Sequence, residues 1–176
     1  MKILVVVIHP DIHSSVFNKR WVEELQKFPE EFHLHQLHQR YPDERIDVEA
    51  EQKLLEKFDK IVFQFPFYWF NCPPFFKRWL DEVLTYGWAF GKNSGYKLSG
   101  KKIALALSIG IAKKEYNKGE KYKYTMEELL RPFELTFDYI KADYQPFFGH
   151  YGIELNSSDH AVEQSTKSYL EYLRQF

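Results

Sequence analysis

Ile3-Leu4-Val5-Val6-Val7-Ile8-His9-Pro10-Asp11-Ile12-His13-Ser14-Ser15-Val16-Phe17-Asn18 is the stretch on which the fold turns. Its apolar run is dominated by β-branched side chains and does not alternate, as expected of a strand buried on both faces of a parallel sheet. The run breaks at His9-Pro10, and an amphipathic pattern follows with Phe17, Trp21, Leu25 and Phe28 on one side. Two serines and an asparagine at the start of that helix put hydroxyl and backbone N–H donors at its positive end. A helix start outside the carboxyl end of a first parallel strand is an anion site, so a ligand carrying phosphate is expected. An ordinary helix cap at Ser14, Ser15 or Asn18 leaves the same signature, and both readings stand.

Strands and helices alternate along the rest of the chain. After strand one (Lys2–Ile8), Phe32–Leu37 alternates as a half-exposed second strand, and Val48–Phe58 reads as a helix. Lys60–Pro66 is a third strand ended by proline. Pro73-Pro74 then open a helix with Phe75, Phe76, Trp79, Leu80, Val83 and Leu84 at helical spacing. Lys102–Leu107 is the fourth strand, Thr125-Met126-Glu127-Glu128 a capping-box signature, Gln145–Phe148 a fifth strand, and Asp159–Leu173 the last helix. This alternation predicts one α/β domain over 1–176: a flavodoxin-like three-layer sandwich. Its five-stranded parallel sheet would have order 2-1-3-4-5, with helices on both faces.

Bulk properties narrow the function. A formal net charge of −1 supplies no field to recruit nucleic acid or anionic lipid, so no nucleic-acid partner is expected. The single cysteine, Cys72, fits a reducing compartment, and the opening apolar run is too short for a secretory signal. The expectation is a cytoplasmic protein. Aromatic residues make up 18% of the chain and crowd between Phe58 and Phe90 and again after Tyr116; such numbers build cores, flat-ligand sites or subunit interfaces, and burial accounts for most of them.

Three loops after the ends of strands one, three and four would converge on one cleft. The first, His9 to Asn18, offers the Ser15 hydroxyl, the N–H groups of Val16 to Asn18, and positive charge from His9 when protonated. The second, Pro66-Phe67-Tyr68-Trp69-Phe70-Asn71-Cys72-Pro73-Pro74, offers aromatic planes and main-chain amides suited to a flat heteroaromatic ring, although core packing could absorb some of its rings. The third, Ser108-Ile109-Gly110-Ile111, has a glycine that permits close approach, with Tyr116 five residues beyond.

Other patterns carry less. Gly95 to Lys102 nearly matches a P-loop but precedes a strand and lacks the closing hydroxyl residue. His33, His35 and His38 have no partner fixed by motif, so no metal site is expected. Cys72 reads as packing, Lys113 to Lys123 as a basic surface loop or lid, and no G-x-G-x-x-G is present.

His9-Pro10 with Ser15-Val16-Phe17-Asn18, Phe65 to Phe70 with Pro73-Pro74, and Asp81 followed by Gly87-Trp88-Ala89-Phe90-Gly91 together resemble the flavodoxin-fold NAD(P)H:quinone oxidoreductases. Within this DT-diaphorase-like group the match is to short bacterial members, such as ancillary subunits of potassium efflux systems and modulators of drug activity. The resemblance implies bound flavin, FMN or alternatively FAD, and hydride transfer from NAD(P)H to quinones by a ping-pong route. It implies that His9, Ser15, Val16, Phe17 and Asn18 hold the phosphate and that Pro66, Phe67, Tyr68, Trp69 and Phe70 line the ring. Ser108, Ile109, Gly110 and Ile111 would touch the ring's polar edge, and Tyr116 would be catalytic. It also implies a homodimer. The family's third loop is usually Thr-Thr-Gly-Gly, from which Ser108-Ile109-Gly110-Ile111 departs. Alternative roles are a regulatory subunit associated peripherally with a membrane potassium transporter, a flavodoxin-type electron carrier, or a member that has lost flavin.

Overall fold

The computed structural model describes residues 2–176. Strand β1 (Ile3–Val7) lies second from one edge of the sheet, parallel to β2 (Phe32–Gln36) on its outer side and to β3 (Lys60–Pro66) on the other. Strand β4 (Lys102–Ile109) continues outward from β3, pairing Lys60 with Lys102 through Pro66 with Ser108. The order is β2-β1-β3-β4-β5, the flavodoxin-like order expected.

Alternation of side chains along β1 divides the core in two. Ile3, Val5 and Val7 pack with Phe17, Trp21 and Tyr169 under helices α1 (Val16–Leu25) and α6 (Asp159–Gln175). Leu4, Val6 and Ile8 pack on the other face. That face is covered by α3 (Val48–Glu56), α4 (Pro74–Val83) and α5 (Met126–Tyr139), a short helix α2 (Leu37–Arg40) having followed β2 unannounced by sequence. Ala104 and Ala106 of β4 face α1 and α6, where small side chains let the helices come close. α1 and α6 are joined by Trp21 Nε1 donating to Ser165 Oγ (2.9 Å) and by a two-bond Arg20–Glu163 pair.

The expected fifth strand needs correction. Gln145 to Phe147 is not strand but a break between two short pieces, β5 (Asp143–Tyr144) and β6 (Phe148–Tyr151), both parallel to β4. Pro146 has no N–H to give a ladder, so pairing stops there and resumes beyond it. The capping box is present as read: Thr125 Oγ1 accepts from the Glu128 N–H, and Glu128 returns a carboxylate oxygen to the Thr125 N–H.

The histidines of β2 and α2 are occupied within the fold. His33 lies against Phe58 and His38 against Phe75, while His35 Nε2 bonds to Glu51 Oε1 at 2.8 Å. Glu51 is buried on α3 and also accepts from Tyr41 Oη (2.7 Å) and Trp79 Nε1 (2.8 Å). Burial by itself raises its pKa, but these bonds outweigh that and hold the carboxyl below the ordinary glutamate value. One carboxylate thereby ties α3 to β2, to the loop after α2, and to α4.

Candidate functional site

A cleft of about 480 Å³ opens at the carboxyl ends of β1, β3 and β4. It gathers His9, Ser15, Val16, Phe17 and Asn18 from the first loop, Pro66 and Tyr68 from the second, and Ser108 from the third. Three stretches far apart in sequence meet there because parallel strands deliver their carboxyl ends to one side.

The first wall is built by local hydrogen bonds. Asp11 accepts from the Ser14 N–H, and Ser14 Oγ donates back to the Asp11 carbonyl. Ser15 is the N-cap of α1, its Oγ accepting from the Asn18 N–H at 3.1 Å. The cap and the cradle are therefore compatible: the Ser15 hydroxyl hydrogen and the first-turn N–H groups of Val16 and Phe17 remain free of intrahelical acceptors. Burial lowers the pKa of His9, the neighbouring His38 adding to the effect, and His9 Nδ1 accepts from the Asp11 N–H. With Nδ1 accepting from Asp11, Nε2 is the ring nitrogen left to donate toward the cleft.

Asn18 and Ser108 form the floor. Asn18 is buried, donating through Nδ2 to Ser108 Oγ at 2.8 Å and accepting from Gln64 Nε2 at Oδ1 (3.2 Å) and at its carbonyl (3.3 Å). This chain fixes the start of α1 against the ends of β3 and β4. Gln64 was not singled out by sequence, since a glutamine inside an apolar strand has no motif of its own.

The second wall is a turn. Tyr68 and Asn71 exchange both main-chain hydrogen bonds, while Trp69 (φ 48°) and Phe70 (φ 59°) occupy the left-handed region. Two central residues of positive φ closed by a reciprocal pair make a type I′ turn. Such a turn favours Asn-Gly, and building it from aromatics costs of order 1–3 kcal/mol per residue, held here by the pairing around it. The turn leaves Trp69 94% exposed, with Tyr68 and Phe70 about two-fifths exposed. Phe67 anchors it, donating its N–H to the Ser108 carbonyl at 2.9 Å.

Side-chain alternation sorts the third loop. Ser108 faces α1, whereas Ile109 is fully buried among the residues beneath α4 and α5. Ile111 is half-buried against the same core. Neither isoleucine lines the cleft. Gly110 is covered by Glu154, whose Oε1 would stand 2.5 Å from a Cβ placed there. Ile153, Glu154 and Ser157, between β6 and α6, complete the cleft. They were missed because the loop after the last strand carries no motif, although in this topology it too ends on the cleft side.

Tyr116 sits beside this cleft rather than in its lining. It is buried, stacked on Tyr122 at 4.9 Å, edge-on to Phe67 at 6.4 Å and 6.0 Å from Tyr151. Burial foremost, then Tyr122 and Glu154, push its hydroxyl pKa up to about 12. It therefore holds its proton throughout the neutral range. The Cys72 thiol, pushed up to about 11 by burial, is likewise protonated.

Among the described residues no three His, Cys, Asp or Glu side chains stand together as a metal site, and no helix is long and apolar enough to cross a membrane. An anion-binding helix start at one end and an aromatic rim at the other suit a molecule combining phosphate with a flat ring.

A family described as having a flavodoxin-like fold matches residues 1–173. The NAD(P)H oxidoreductase YrkL of Bacillus subtilis, itself described as uncharacterized, is 44% identical over 174 residues, covering 99% of this chain and 98% of that protein. The glutathione-regulated potassium-efflux ancillary protein KefG of Yersinia enterocolitica is 40% identical over 135 residues, covering 77% and 72%. Among solved structures, general stress protein 14 of Treponema denticola, in complex with FMN, is 45% identical with a TM-score of 0.93 over 99% of both chains. An NADPH-quinone reductase from P. pentosaceus is 29% identical with a TM-score of 0.87 over 98% of both.

Proposed function

This chain belongs to the flavodoxin-like fold family, and we propose that it is a flavin-dependent NAD(P)H dehydrogenase using FMN, with a quinone or similar compound as electron acceptor. The observation that carries the reading is the meeting, across Ser108, of the free N–H groups of α1 with the strained aromatic turn at Trp69-Phe70. Its support is the full-length likeness to a protein whose structure holds FMN. Bound FMN supplies the hydride chemistry, and the protein supplies position and electrostatics.

The residues divide the work. Ser15 Oγ–H, the N–H groups of Val16 and Phe17, and His9 would hold the phosphate. Pro66 to Phe70 would wall the ring and exclude water, with the loop from Ser108 to Ile111 closing the far side. Asn18 is a positioning residue that keeps the helix start aimed at the cleft through Ser108 and Gln64. Tyr116, holding its proton, would donate a hydrogen bond to the reacting molecule. NAD(P)H and the acceptor would occupy the same place in turn, giving parallel double-reciprocal plots.

A homodimer belongs to the same reading. A largely apolar cleft of about 730 Å³ runs between α4 and α5, with Leu135 and Tyr139 each 67% exposed along it. A second copy seated there would cover it and bring further aromatics toward Trp69. The reading also keeps the protein in the cytoplasm.

The test is an absorption spectrum after incubation with FMN or FAD, followed by steady-state NAD(P)H oxidation with a quinone. Flavin bands that survive gel filtration and turnover without added reductase support the reading; a colourless protein in excess FMN overturns it. Likeness to the ancillary protein KefG favours a second role, regulation of a membrane potassium transporter. Capture of the holoprotein on membranes carrying the transporter, lost in high salt, would distinguish that role.

A further inference from the structure

On the outer edge of the sheet, where Pro146 splits the fifth strand, a third cleft of about 580 Å³ lies between α5 and α6. Its size is that of a small-molecule pocket. Tyr144, Phe147, Tyr151 and Tyr172 are among its walls, and Glu127 and Glu134 stand on α5. The aromatic wall is fixed in place. Tyr172 Oη donates to the Pro146 carbonyl at 2.6 Å. Gly149 lies beneath two rings, for a Cβ there would stand 2.9 Å from Phe147 and 3.2 Å from Tyr151.

Two carboxylates, Glu127 and Glu134, outnumber the one ammonium, Lys113, among the lining charges. Glu127 and Glu134 are two helical turns apart, about 10.5 Å along the axis, and neither has an ion-pair or hydrogen-bond partner among the described residues. Both act on ring hydroxyls of the wall: Glu134 adds to the raised pKa of Tyr144, and Glu127 to that of Tyr151, burial being the larger cause in each. The Tyr144 hydroxyl is buried without a partner. The cleft already attracts one ammonium group from its own chain, Lys113 Nζ lying 5.9 Å from the centre of the Tyr151 ring. Aromatic faces and unpaired carboxylates both favour positive charge, and an apolar wall favours a body to bury.

We infer that this edge cleft is a binding site for an organic cation, an amine or quaternary ammonium with an apolar body, separate from the cleft at the strand ends. The inference goes beyond the flavin reading and does not depend on it. The lining disfavours a pyrophosphate, whose charge Glu127 and Glu134 would repel against the single ammonium of Lys113.

The test titrates the full-length protein with benzyltrimethylammonium, benzyl alcohol and phenylacetate, three probes of similar bulk that differ in charge. Binding is followed by amide shifts in two-dimensional NMR. The cation should move amides of residues 127–134 and 144–151 saturably, and bind at least about tenfold tighter than the neutral or anionic probe. The Glu127→Gln/Glu134→Gln double variant changes only exposed side chains and should weaken the cation about tenfold while leaving NAD(P)H oxidation unchanged. Equal affinity for the three probes, shifts confined to other surfaces, or no shifts at all would overturn the inference. So would undiminished cation binding by the double variant.

Discussion

Ser15 carries two roles that substitution can separate. Its Oγ caps α1 by accepting from Asn18 N–H, and its hydroxyl hydrogen is free to bond a phosphate. Ser15→Ala removes both. Losing the cap costs about 1 kcal/mol, or about 2–4 °C in melting temperature for a chain of this length. Losing a hydrogen bond to a charged group costs about 1.5–3 kcal/mol of FMN binding, about 10–100-fold in affinity. Ser15→Asp restores the cap, since aspartate is as good an N-cap as serine and its charge suits the helix dipole. It also sets a carboxylate against the phosphate: two like charges about 4 Å apart repel by about 4 kcal/mol at an effective dielectric of 20, close to a thousandfold. Urea unfolding of the apoprotein, read by tryptophan fluorescence, measures the first role. Quenching of FMN fluorescence on titration measures the second. The alanine variant should fall in both assays and the aspartate variant in binding alone. If Ser15→Asp binds FMN within tenfold of wild type, no phosphate sits at this helix start and the reasoning is refuted.

Further outcomes follow from other sites. Glu51→Gln leaves Trp79 Nε1 or the His35–Tyr41 pair facing an amide NH2, and an unsatisfied buried donor costs about 1–3 kcal/mol. With weakened bonds from the remaining donors the total loss at pH 7 should be near 3 kcal/mol in urea titrations. Because the Glu51 carboxyl lies below its ordinary 4.5, its contribution is present above that pH and fades as pH falls through the folded value. The gap between wild type and variant should therefore close in acid; a gap that widens would contradict the assignment. Tyr116→Phe should slow quinone reduction at least tenfold with FMN still bound; equal rates in stopped-flow would remove Tyr116 from the chemistry. Leu135→Glu puts a charge on the exposed α5 face and should shift sedimentation from dimer to monomer, whereas unchanged sedimentation would place the interface elsewhere.

Much of the arrangement was legible in the sequence because its signals are local. The unbroken run Ile3–Ile8, the proline pair opening α4 and the Thr125–Glu128 capping box each record a choice settled within a few residues. The fifth strand was misplaced for a local reason as well: Gln145-Pro146-Phe147-Phe148 is apolar enough for a strand, but the missing N–H at Pro146 turns its centre into a break. Ile109 stands in the loop that departs from the family's usual Thr-Thr-Gly-Gly. The pairing of β4 directs it into the core, so its size never reaches the cleft.

Sequence alone determined the first four strands and the longer helices between them, the three loops that converge, and the chemistry each could offer, since periodicity and capping depend on near neighbours. Only the tertiary structure decided that burial lowers the His9 pKa, that Asn18 serves Ser108 and Gln64, that Trp69 and Phe70 are held in a strained turn, and that Glu154 closes the cleft. These depend on burial and on partners tens of residues away. Desolvation and long-range hydrogen bonds come into being only when the sheet brings its strand ends together.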